Sequence, residues 1–496
     1  MTAAMNLQDM TRQALARDPA RPALEFGERW YSVGELRRLA GRLEQRMAQA
    51  GIDDRAAVTF VPRNCPEAVA ALLALLAAGR TIRMVYAFQS TAGIARDVAR
   101  LRSSLVIAGA AELADDVLSA ARGCGAAAIR LDDMDARLVP GLERCEGGRT
   151  LPAGAVPEVQ ILTSGTTGAP KQFPIAHELI ARHHVEPRLA AATADEALRE
   201  PPALLFFPLG NISGIYSTLP AVLRGQRVVL LERYTLDAWR RYIREHRPAA
   251  SGGPPAAVQM ILDAAVPVEE LASLQCFATG AAPLDPTVQQ SFEARYRIPI
   301  LLSYGATEFG GPVCAMTPAL HAAWAARKPG TVGRAMPGVQ LRVVDADSGA
   351  ELPPGREGLL EVITPRLDTG WIRTADIGVI DEDGFLFLRG RADGAITRGG
   401  FKLLPETIER ALLRHPAIAE AAVVGLPDRR LGQIPAAAIR LKPGSTAPGF
   451  EALEAHLRQH VLATHIPVRW TLVAELPKNA SMKIDRRGVA QLFDPA

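Results

Sequence analysis

The chain has 496 residues and a formal net charge of +3, and 22% of its residues are charged. This balance is too apolar for a disordered chain and too weakly basic for a dedicated nucleic-acid-binding protein. The length predicts about two to four domains or subdomains and suffices to bury a large core.

The first part of the chain is predicted to contain two helices. Apolar residues recur at helical spacing over 33–50, after Ser32, a residue type suited to cap a helix. The apolar run 68–78 is too short to span a membrane and ends at Gly79, as a buried helix would. The start of the chain lacks the apolar region of a signal peptide, and the five cysteines form no CxxC pair. We therefore expect a cytoplasmic protein without a membrane span.

Short β-rich runs alternate with helical patterns through the middle of the chain, which favours an α/β fold. Strands are predicted at 156–162, 206–207, 228–231, 341–344, 358–363 and 385–388. A short, charged, glycine-containing run at 389–394 marks the clearest domain boundary. Beyond it, helices are predicted at 405–415 and 450–463 and strands at 419–424 and 436–441, enough for a small α+β domain.

The strongest motif directly follows the strand predicted at 156–162. It reads Thr163-Ser164-Gly165-Thr166-Thr167-Gly168-Ala169-Pro170-Lys171. Its glycines let the backbone approach an anion, its hydroxyls add donors, and its lysine adds a compact charge. That lysine is one of only six among 56 lysines and arginines, so 50 are arginine. The run is not a Walker A loop, and the alternative is an ordinary solvent loop. We predict a polyphosphate-binding loop.

This motif resembles the phosphate loop of the adenylate-forming (AMP-binding) superfamily of acyl- and aryl-CoA synthetases, peptide-synthetase adenylation domains and firefly luciferase. Segments that resemble other family motifs follow in order at 279–284, 304–308, 371–376, 390–393, 398–402 and 477–486. The chain looks most similar to bacterial aryl-CoA and coumarate-CoA ligases. The resemblance implies a large N-terminal domain, 1–391, of α/β subdomains with mixed sheets, flanking helices and a small β-barrel-like part. It also implies a small, mobile α+β C-terminal domain, 392–496.

The resemblance implies a site for ATP and Mg²⁺. The phosphates would be bound by Thr163, Ser164, Gly165, Thr166, Thr167, Gly168 and the catalytic Lys171. The rest of the nucleotide would be contacted by Gly280, Ala281, Ala282, Pro283, Ser303, Tyr304, Gly305, Ala306, Asp376 and Arg391. The aromatic ring of Tyr304 can stack on adenine. Thr307 would donate to the α-phosphate, and the Glu308 carboxylate would bind Mg²⁺, a hard cation.

The resemblance also implies an acyl pocket. Its residues would be Asn211, Ile212, Ser213, Gly253, Gly280, Phe309, Gly310 and Gly311. These mostly small, uncharged residues fit a neutral aryl or medium acyl carboxylic acid. Asn211 stands where the family usually has histidine, and asparagine can form hydrogen bonds but cannot carry charge. Two interpretations stay open: reduced activity with the usual substrates, or a tolerated variation.

In the C-terminal part, the resemblance makes Lys483 the catalytic lysine for adenylation and Asp393 the hinge of a domain rotation. The rotation would withdraw Lys483 and bring in a thioester half-site. That half-site would comprise Arg398, Gly399, Gly400, Phe401 and Lys402. The alternatives are a surface lysine at 483, an ordinary turn aspartate at 393 and a surface role for Lys402.

The implied function is ATP-dependent activation of a carboxylic acid through an acyl-adenylate, followed by thioester formation with CoA. The protein would be a monomer or homodimer. One alternative is an adenylation enzyme that transfers the acyl group to a carrier-protein pantetheine or an amine. Another is a catalytically silent protein that binds nucleotide or acyl groups. His183 and His184, near Glu186, are interpreted as helix-surface residues rather than a metal pair, because adjacent histidines face apart.

Overall fold

The computed structural model describes residues 6–147, 150–163, 171–191, 193–367, 369–398, 401–478 and 483–494, without the side chains of 163, 171, 401 and 402. The chain forms two compact units. The first comprises 1–248 with 306–311, and the second comprises 249–305 with 312–496. The boundary expected between 391 and 392 lies within the second unit, and the assignment of domains stays a prediction.

A seven-stranded mixed sheet forms the centre of the first unit. In sheet order its strands are Asp135–Leu138, Ala127–Asp132, Leu105–Gly109, Val58–Val61, Ile82–Met84, Glu158–Thr163 and Lys171–Ala176. The five inner strands run parallel, and each edge strand is antiparallel to its neighbour. Val58, Phe60 and Ile107 are fully buried, as expected for parallel strands covered on both faces.

The α-helices of the first unit surround its sheets. They are Leu7–Leu15, Val33–Gln49, Pro66–Ala77, Thr91–Leu101, Asp115–Gly123, His177–Ile180, Glu186–Leu189, Ala194–Arg199, Ile212–Arg224 and Leu236–His246. The two helices predicted near the start are confirmed. Ser32 and Glu35 form a capping box at the first of them, and every residue of the second except Glu67 is buried. Among the described residues, none of the helices has the length and apolar character needed to cross a membrane.

A smaller sheet in the first unit corrects one predicted strand. In order, it contains Ala203–Leu205, Val228–Leu230, Pro22–Phe26 and Arg29–Ser32. The strand expected at 206–207 is wrong, because the strand ends at Leu205. The Phe207 carbonyl accepts a hydrogen bond from the side chain of Asn64, which takes the place of a strand partner.

The two adjacent histidines lie in a π-helical turn, Ala181–Val185, between two short helices. Both are half-buried, so part of each side chain is exposed and part is packed against the protein. The extra residue in the turn changes the direction of the side chains, and the His184 ring stacks on Tyr216 with centroids 6.0 Å apart. Within the described ranges, neither histidine belongs to a group of possible metal ligands.

His177 gives the first unit a predicted pH dependence. Burial lowers the pKa of His177 from 6.5 to about 4, and neither ring nitrogen has a hydrogen-bond partner within the described residues. The unfolded chain therefore binds a proton that the folded chain excludes, and stability falls as the pH drops below about 6.5. From pH 7.5 to 5.5 this loss is about 1 kcal/mol. We expect the thermal midpoint to fall over this range, and to fall less in His177→Phe. An equal fall in both proteins would contradict this assignment.

The second unit contains three sheets. A five-stranded sheet has the order Ala250–Gly252, Cys276–Gly280, Ile300–Ala306, Gly311–Ala315 and Arg334–Ala335. An antiparallel sheet has the order Gln340–Val344, Glu357–Ile363, Ile372–Ile380 and Leu386–Arg391. The last sheet has the order Phe401–Leu403, Ile396–Arg398, Gly432–Leu441 and Ile418–Asp428, with Arg469–Leu472 parallel to Gly432–Leu441. The mixed α/β fold class is thereby confirmed.

The helices of the second unit are Pro255–Asp263, Pro286–Tyr296, Pro318–Trp324, Pro405–Leu413, Phe450–Arg458 and Arg486–Gln491. The helices predicted at 405–415 and 450–463 are thus present but end earlier. The strand expected at 385–388 instead continues to Arg391, because Gly390 and Arg391 pair with Ile377 and Asp376. A short 3₁₀ turn, Ala392–Gly394, then leads into the last sheet. The charged run thus forms a strand end and a turn.

Candidate active site

The predicted phosphate loop connects two antiparallel strands of the seven-stranded sheet. Glu158–Thr163 pairs with Lys171–Ala176, and Thr163 lies directly opposite Lys171. Ser164, Gly165, Thr166, Thr167 and Gly168 lie outside the described residues, as do the side chains of Thr163 and Lys171. Because opposed residues of an antiparallel pair lie about 4.5–5.5 Å apart, the strands bring the two ends of the loop together.

Asn211 stands at the start of the helix Ile212–Arg224, in the first unit. Its backbone is extended, and its carbonyl accepts the first helical hydrogen bond from Ile215 at 3.1 Å. Ile212 is buried, and Ser213 is half-buried. A Cβ at Gly214 would lie 2.2 Å from the Pro208 carbonyl oxygen, so this helix requires glycine to pack on the preceding loop.

Asn64 is a residue at this site that sequence analysis missed. Its side chain is fully buried and donates to the carbonyls of Phe207 and Leu231 at 3.0 and 3.1 Å. Its side-chain oxygen accepts from the Leu209 amide at 2.9 Å. Asn64 thereby fixes the backbone just before Asn211. The sequence carries no signal for this role, because the partners lie more than 140 residues away.

Thr307, Glu308 and Phe309 form a short 3₁₀ turn directly after the strand Ile300–Ala306. The Phe309 ring is buried, whereas Thr307 and Glu308 are half-buried. Gly310 closes the turn in a left-handed conformation, with its amide 2.9 Å from the Thr307 carbonyl, and Gly311 follows at φ 124°. Within the described part of the chain, the Glu308 carboxylate has no ion-pair partner. This turn therefore offers a half-buried carboxylate that can bind a hard cation.

In the second unit, the ends of two parallel strands pack closely. Gly280 lies opposite Ser303, and a Cβ at Gly280 would lie 2.5 Å from Ser303 Oγ and 2.6 Å from its carbonyl oxygen. Thr279 Oγ1 donates to the Gly253 carbonyl at 2.8 Å. Ala281 then adopts a left-handed conformation with φ +66°, which is uncommon for a residue with a Cβ. Ala282 and Pro283 continue this loop.

Tyr304, Asp376, Arg391 and Asp393 form one connected polar cluster in the second unit. Tyr304 Oη donates to Asp376 Oδ2 at 2.5 Å, and Arg391 Nη1 donates to Asp376 Oδ1 at 3.2 Å. Arg391 also binds both oxygens of Asp393, at 2.9 and 2.6 Å. Asp376 and Arg391 are direct partners in the antiparallel sheet. The structure thus brings together four residues predicted from three separate motifs.

Burial and charge set the protonation states in this polar cluster. Burial, followed by the charge of Asp376, raises the pKa of Tyr304 above its ordinary value, so the phenol stays a donor. Hydrogen bonds to Asp393 raise the pKa of Arg391 despite its partial burial. Each Asp376 oxygen keeps a further lone pair, so the carboxylate can still accept from a ligand hydroxyl. The polar cluster is therefore suited to bind a sugar diol.

The remaining predicted residues lie in or beside the last sheet. Arg398 Nη1 donates to the carbonyls of Thr464 at 2.5 Å and Ile466 at 3.4 Å, so its side chain supports a nearby turn. Gly399, Gly400 and the side chains of Phe401 and Lys402 lie outside the described residues. Lys483 is exposed, two residues before Asp485, which caps the helix Arg486–Gln491.

Comparisons with known proteins show which family the chain resembles. The family described as AMP-binding enzyme matches residues 11–370, and its C-terminal domain matches residues 407–483. The chain is 30% identical over 359 residues to the fatty acid–[acyl-carrier-protein] ligase ScoC of Streptomyces coeruleorubidus, covering 68% of this chain and 67% of that protein. It is 27% identical over 518 residues to 4-coumarate–CoA ligase 3 of Oryza sativa subsp. japonica, covering 97% and 91%.

The fold is also that of solved relatives. The ATP-bound MatB structure from Rhodopseudomonas palustris matches with a TM-score of 0.79 over 99% of both chains, at 23% identity. The resemblance found in the sequence motifs is thereby confirmed, and the relatives agree with an acid–thiol ligase function. The chain belongs to the AMP-binding enzyme family.

Proposed function

We propose that the protein is an acyl- or aryl-CoA synthetase that activates a carboxylic acid with ATP and transfers the acyl group to CoA. In the first step, a carboxylate oxygen attacks the α-phosphorus, and the bond to pyrophosphate breaks. In the second step, the CoA sulfur attacks the acyl carbon, the thiol proton is lost, and AMP leaves. Both steps at one centre require charge neutralisation and precise orientation.

The polar cluster of Tyr304, Asp376, Arg391 and Asp393 carries this proposal. Asp376 accepts from Tyr304 and Arg391 and retains lone pairs that could accept from ribose hydroxyls, which supports a role for this cluster in binding the nucleoside. The Thr163–Lys171 hairpin would hold the β- and γ-phosphates. Lys483 would bring the carboxylate and the α-phosphate together. Asn211 and its neighbours Ile212 and Ser213 would help to hold the acid.

Glu308 fits a magnesium ion, because its carboxylate is half-buried and has no ion-pair partner in the described ranges. Bound there, Mg²⁺ would supply charge neutralisation for the phosphates. Thr307, one residue before, would donate its hydroxyl to the α-phosphate. The five cysteines are free, which supports the cytoplasm as the compartment.

A pyrophosphate-release assay tests the proposal. Benzoate, 4-coumarate, octanoate and malonate are offered with ATP and Mg²⁺, and we expect release with a monocarboxylic acid. Malonate should fail, since the acyl-pocket residues offer no second cation for it. Absence of pyrophosphate with every acid would contradict the synthetase and favour the catalytically silent binding protein.

The acyl acceptor is a separate question, because one relative is named a ligase for acyl-carrier protein and another a CoA ligase. We propose CoA as the acceptor. The preformed acyl-adenylate is offered to CoA, to a phosphopantetheine-loaded carrier protein and to a primary amine. Faster AMP release with the carrier protein or the amine than with CoA would overturn this choice.

A further inference from the structure

Lys483 lies within a short segment, 477–485, whose two ends meet. Lys478 and Ile484 pair in an isolated antiparallel bridge. The Asp485 amide donates to the Pro477 carbonyl at 2.8 Å. Residues 479–482 lie outside the described part of the chain, and the contacts described for this segment are those of its two ends.

The end before Lys483 is attached by an ion pair. Lys478 Nζ donates to Glu420 Oε1 at 2.5 Å, and both side chains are about four-fifths buried. Glu420 Oε2 accepts from Arg440 Nε at 2.7 Å. Burial opposes ionisation of Glu420, but the hydrogen bond and charge of Lys478, then those of Arg440, outweigh it and lower its pKa. The Glu420 carboxylate is thus fully charged at neutral pH.

The end after Lys483 is attached by a second, larger network. Arg486 Nη1 donates to Glu409 Oε1 at 2.8 Å and to the Val423 carbonyl at 2.5 Å. Arg486 Nη2 donates to Glu406 Oε1 at 2.9 Å. The Val423 amide returns a hydrogen bond to Glu409 Oε1 at 2.8 Å. Arg486 is thereby fixed to both the helix Pro405–Leu413 and the strand Ile418–Asp428.

Both attachments involve the same strand. Glu420 and Val423 lie three residues apart on Ile418–Asp428, which pairs along its length with Gly432–Leu441. A lysine side chain is long and flexible, so its ammonium reaches one position reproducibly only if its backbone is fixed. A displacement of about 1 Å at a reacting group can lower a rate by about 100-fold.

We propose that Lys478 and Arg486 are positioning residues that hold the backbone of Lys483 for adenylation, through Glu420 on one side and Glu409 on the other. This inference rests on the proposed function. It gives a role to Lys478, which lies in the C-terminal motif without a contact to substrate assigned to it. The thioester step does not use Lys483 and should be independent of both attachments.

The chain offers a matched control. Lys328 donates to Asp381 and Asp383, each at 2.6 Å, and its side chain is as buried as that of Lys478. Lys328 therefore forms the same kind of ion pair in the same unit, in a turn that contains none of the predicted site residues. A purely structural effect of losing a buried lysine should appear in both variants.

The experiment measures the two half-reactions separately in the full chain. Carboxylate-dependent exchange of pyrophosphate into ATP reports adenylation, with whichever of the four acids above releases pyrophosphate fastest. Thioester formation from the preformed acyl-adenylate and CoA reports the second step. We expect Lys478→Met to lower adenylation at least 10-fold and to change the second step less than 2-fold. Lys328→Met should leave both within 2-fold, and Lys478→Arg should recover most of the adenylation.

Two outcomes would overturn the positioning role: unchanged adenylation in Lys478→Met, or equal losses in both half-reactions. Arg486→Lys keeps a charge but loses the forked contacts with Glu409 and Glu406. It should therefore also lower adenylation and spare the second step, which keeps the inference testable if Lys478→Met folds poorly. An unmodified protein that exchanges no pyrophosphate would instead contradict the proposed function, and this inference with it.

Discussion

We expect replacement of Lys483 by arginine to lower acyl-adenylate formation at least 100-fold, although the positive charge is kept. The proposed role requires a compact ammonium that contacts the carboxylate and the α-phosphate side together, and a planar guanidinium differs in shape and hydration. Removing one well-placed electrostatic contact from a transition state typically costs about 10²–10³ in rate. Exchange of pyrophosphate into ATP, at saturating acid and nucleotide, measures this loss.

Lys328→Arg is the control for this experiment. Arginine can keep the contacts to Asp381 and Asp383, so adenylation should stay within 2-fold and the thermal midpoint should change little. Thioester formation from a supplied acyl-adenylate should persist in Lys483→Arg, since that step does not use Lys483. Full adenylation activity in Lys483→Arg would contradict the catalytic role and indicate that Lys483 is an ordinary surface lysine.

We expect replacement of Asp393 by proline to spare adenylation within a few-fold and to lower thioester formation at least 100-fold. Asp393 lies in the 3₁₀ turn Ala392–Gly394, between the antiparallel sheet and the last sheet. Proline fixes φ near −65°, which matches a 3₁₀ turn, and it also restricts the preceding residue. Proline therefore fits the turn at position 393 itself, strains Ala392 before it, and removes the freedom in φ that a hinge at 393 would need.

Asp393→Ala separates this effect from the loss of a side chain. The Asp393 carboxylate accepts two hydrogen bonds from Arg391, and both substitutions remove them. Alanine leaves the backbone free, so Asp393→Ala should keep most of the thioester activity. If alanine and proline lower the second step equally, the ion pair matters and the hinge assignment is wrong.

Local patterns predicted much of the fold because they depend on neighbouring residues. The capping residue Ser32 and the periodicity after it locate the helix Val33–Gln49, and Pro66 and Gly79 delimit the buried helix. Local composition is a poor guide where tertiary pairing places charged residues in a strand. Arg391 looks like a loop residue, but its opposite partner in the sheet is Asp376.

The candidate site was predictable where a motif is contiguous and unpredictable where it is assembled from distant parts of the chain. Tyr304, Asp376 and Arg391 each belong to a separate short motif, yet their hydrogen bonds depend on sheet register. Asn64 and Glu420 belong to none of the motifs. Their roles follow only from the fold, which brings Asn64 to Leu209 and Glu420 to Lys478.

The scarcity of lysine makes amine chemistry selective on this protein. Arginine stays protonated at any ordinary pH and does not react as an amine, so the 50 arginines are silent toward acylating reagents. Lys328 and Lys478 donate to carboxylates, and among the lysine side chains that the structure describes only Lys442 and Lys483 are exposed. A limiting amount of an amine-reactive probe should therefore label Lys442 and Lys483 ahead of those two. Protection of one of these two positions by bound nucleotide would then report directly on occupancy of the site.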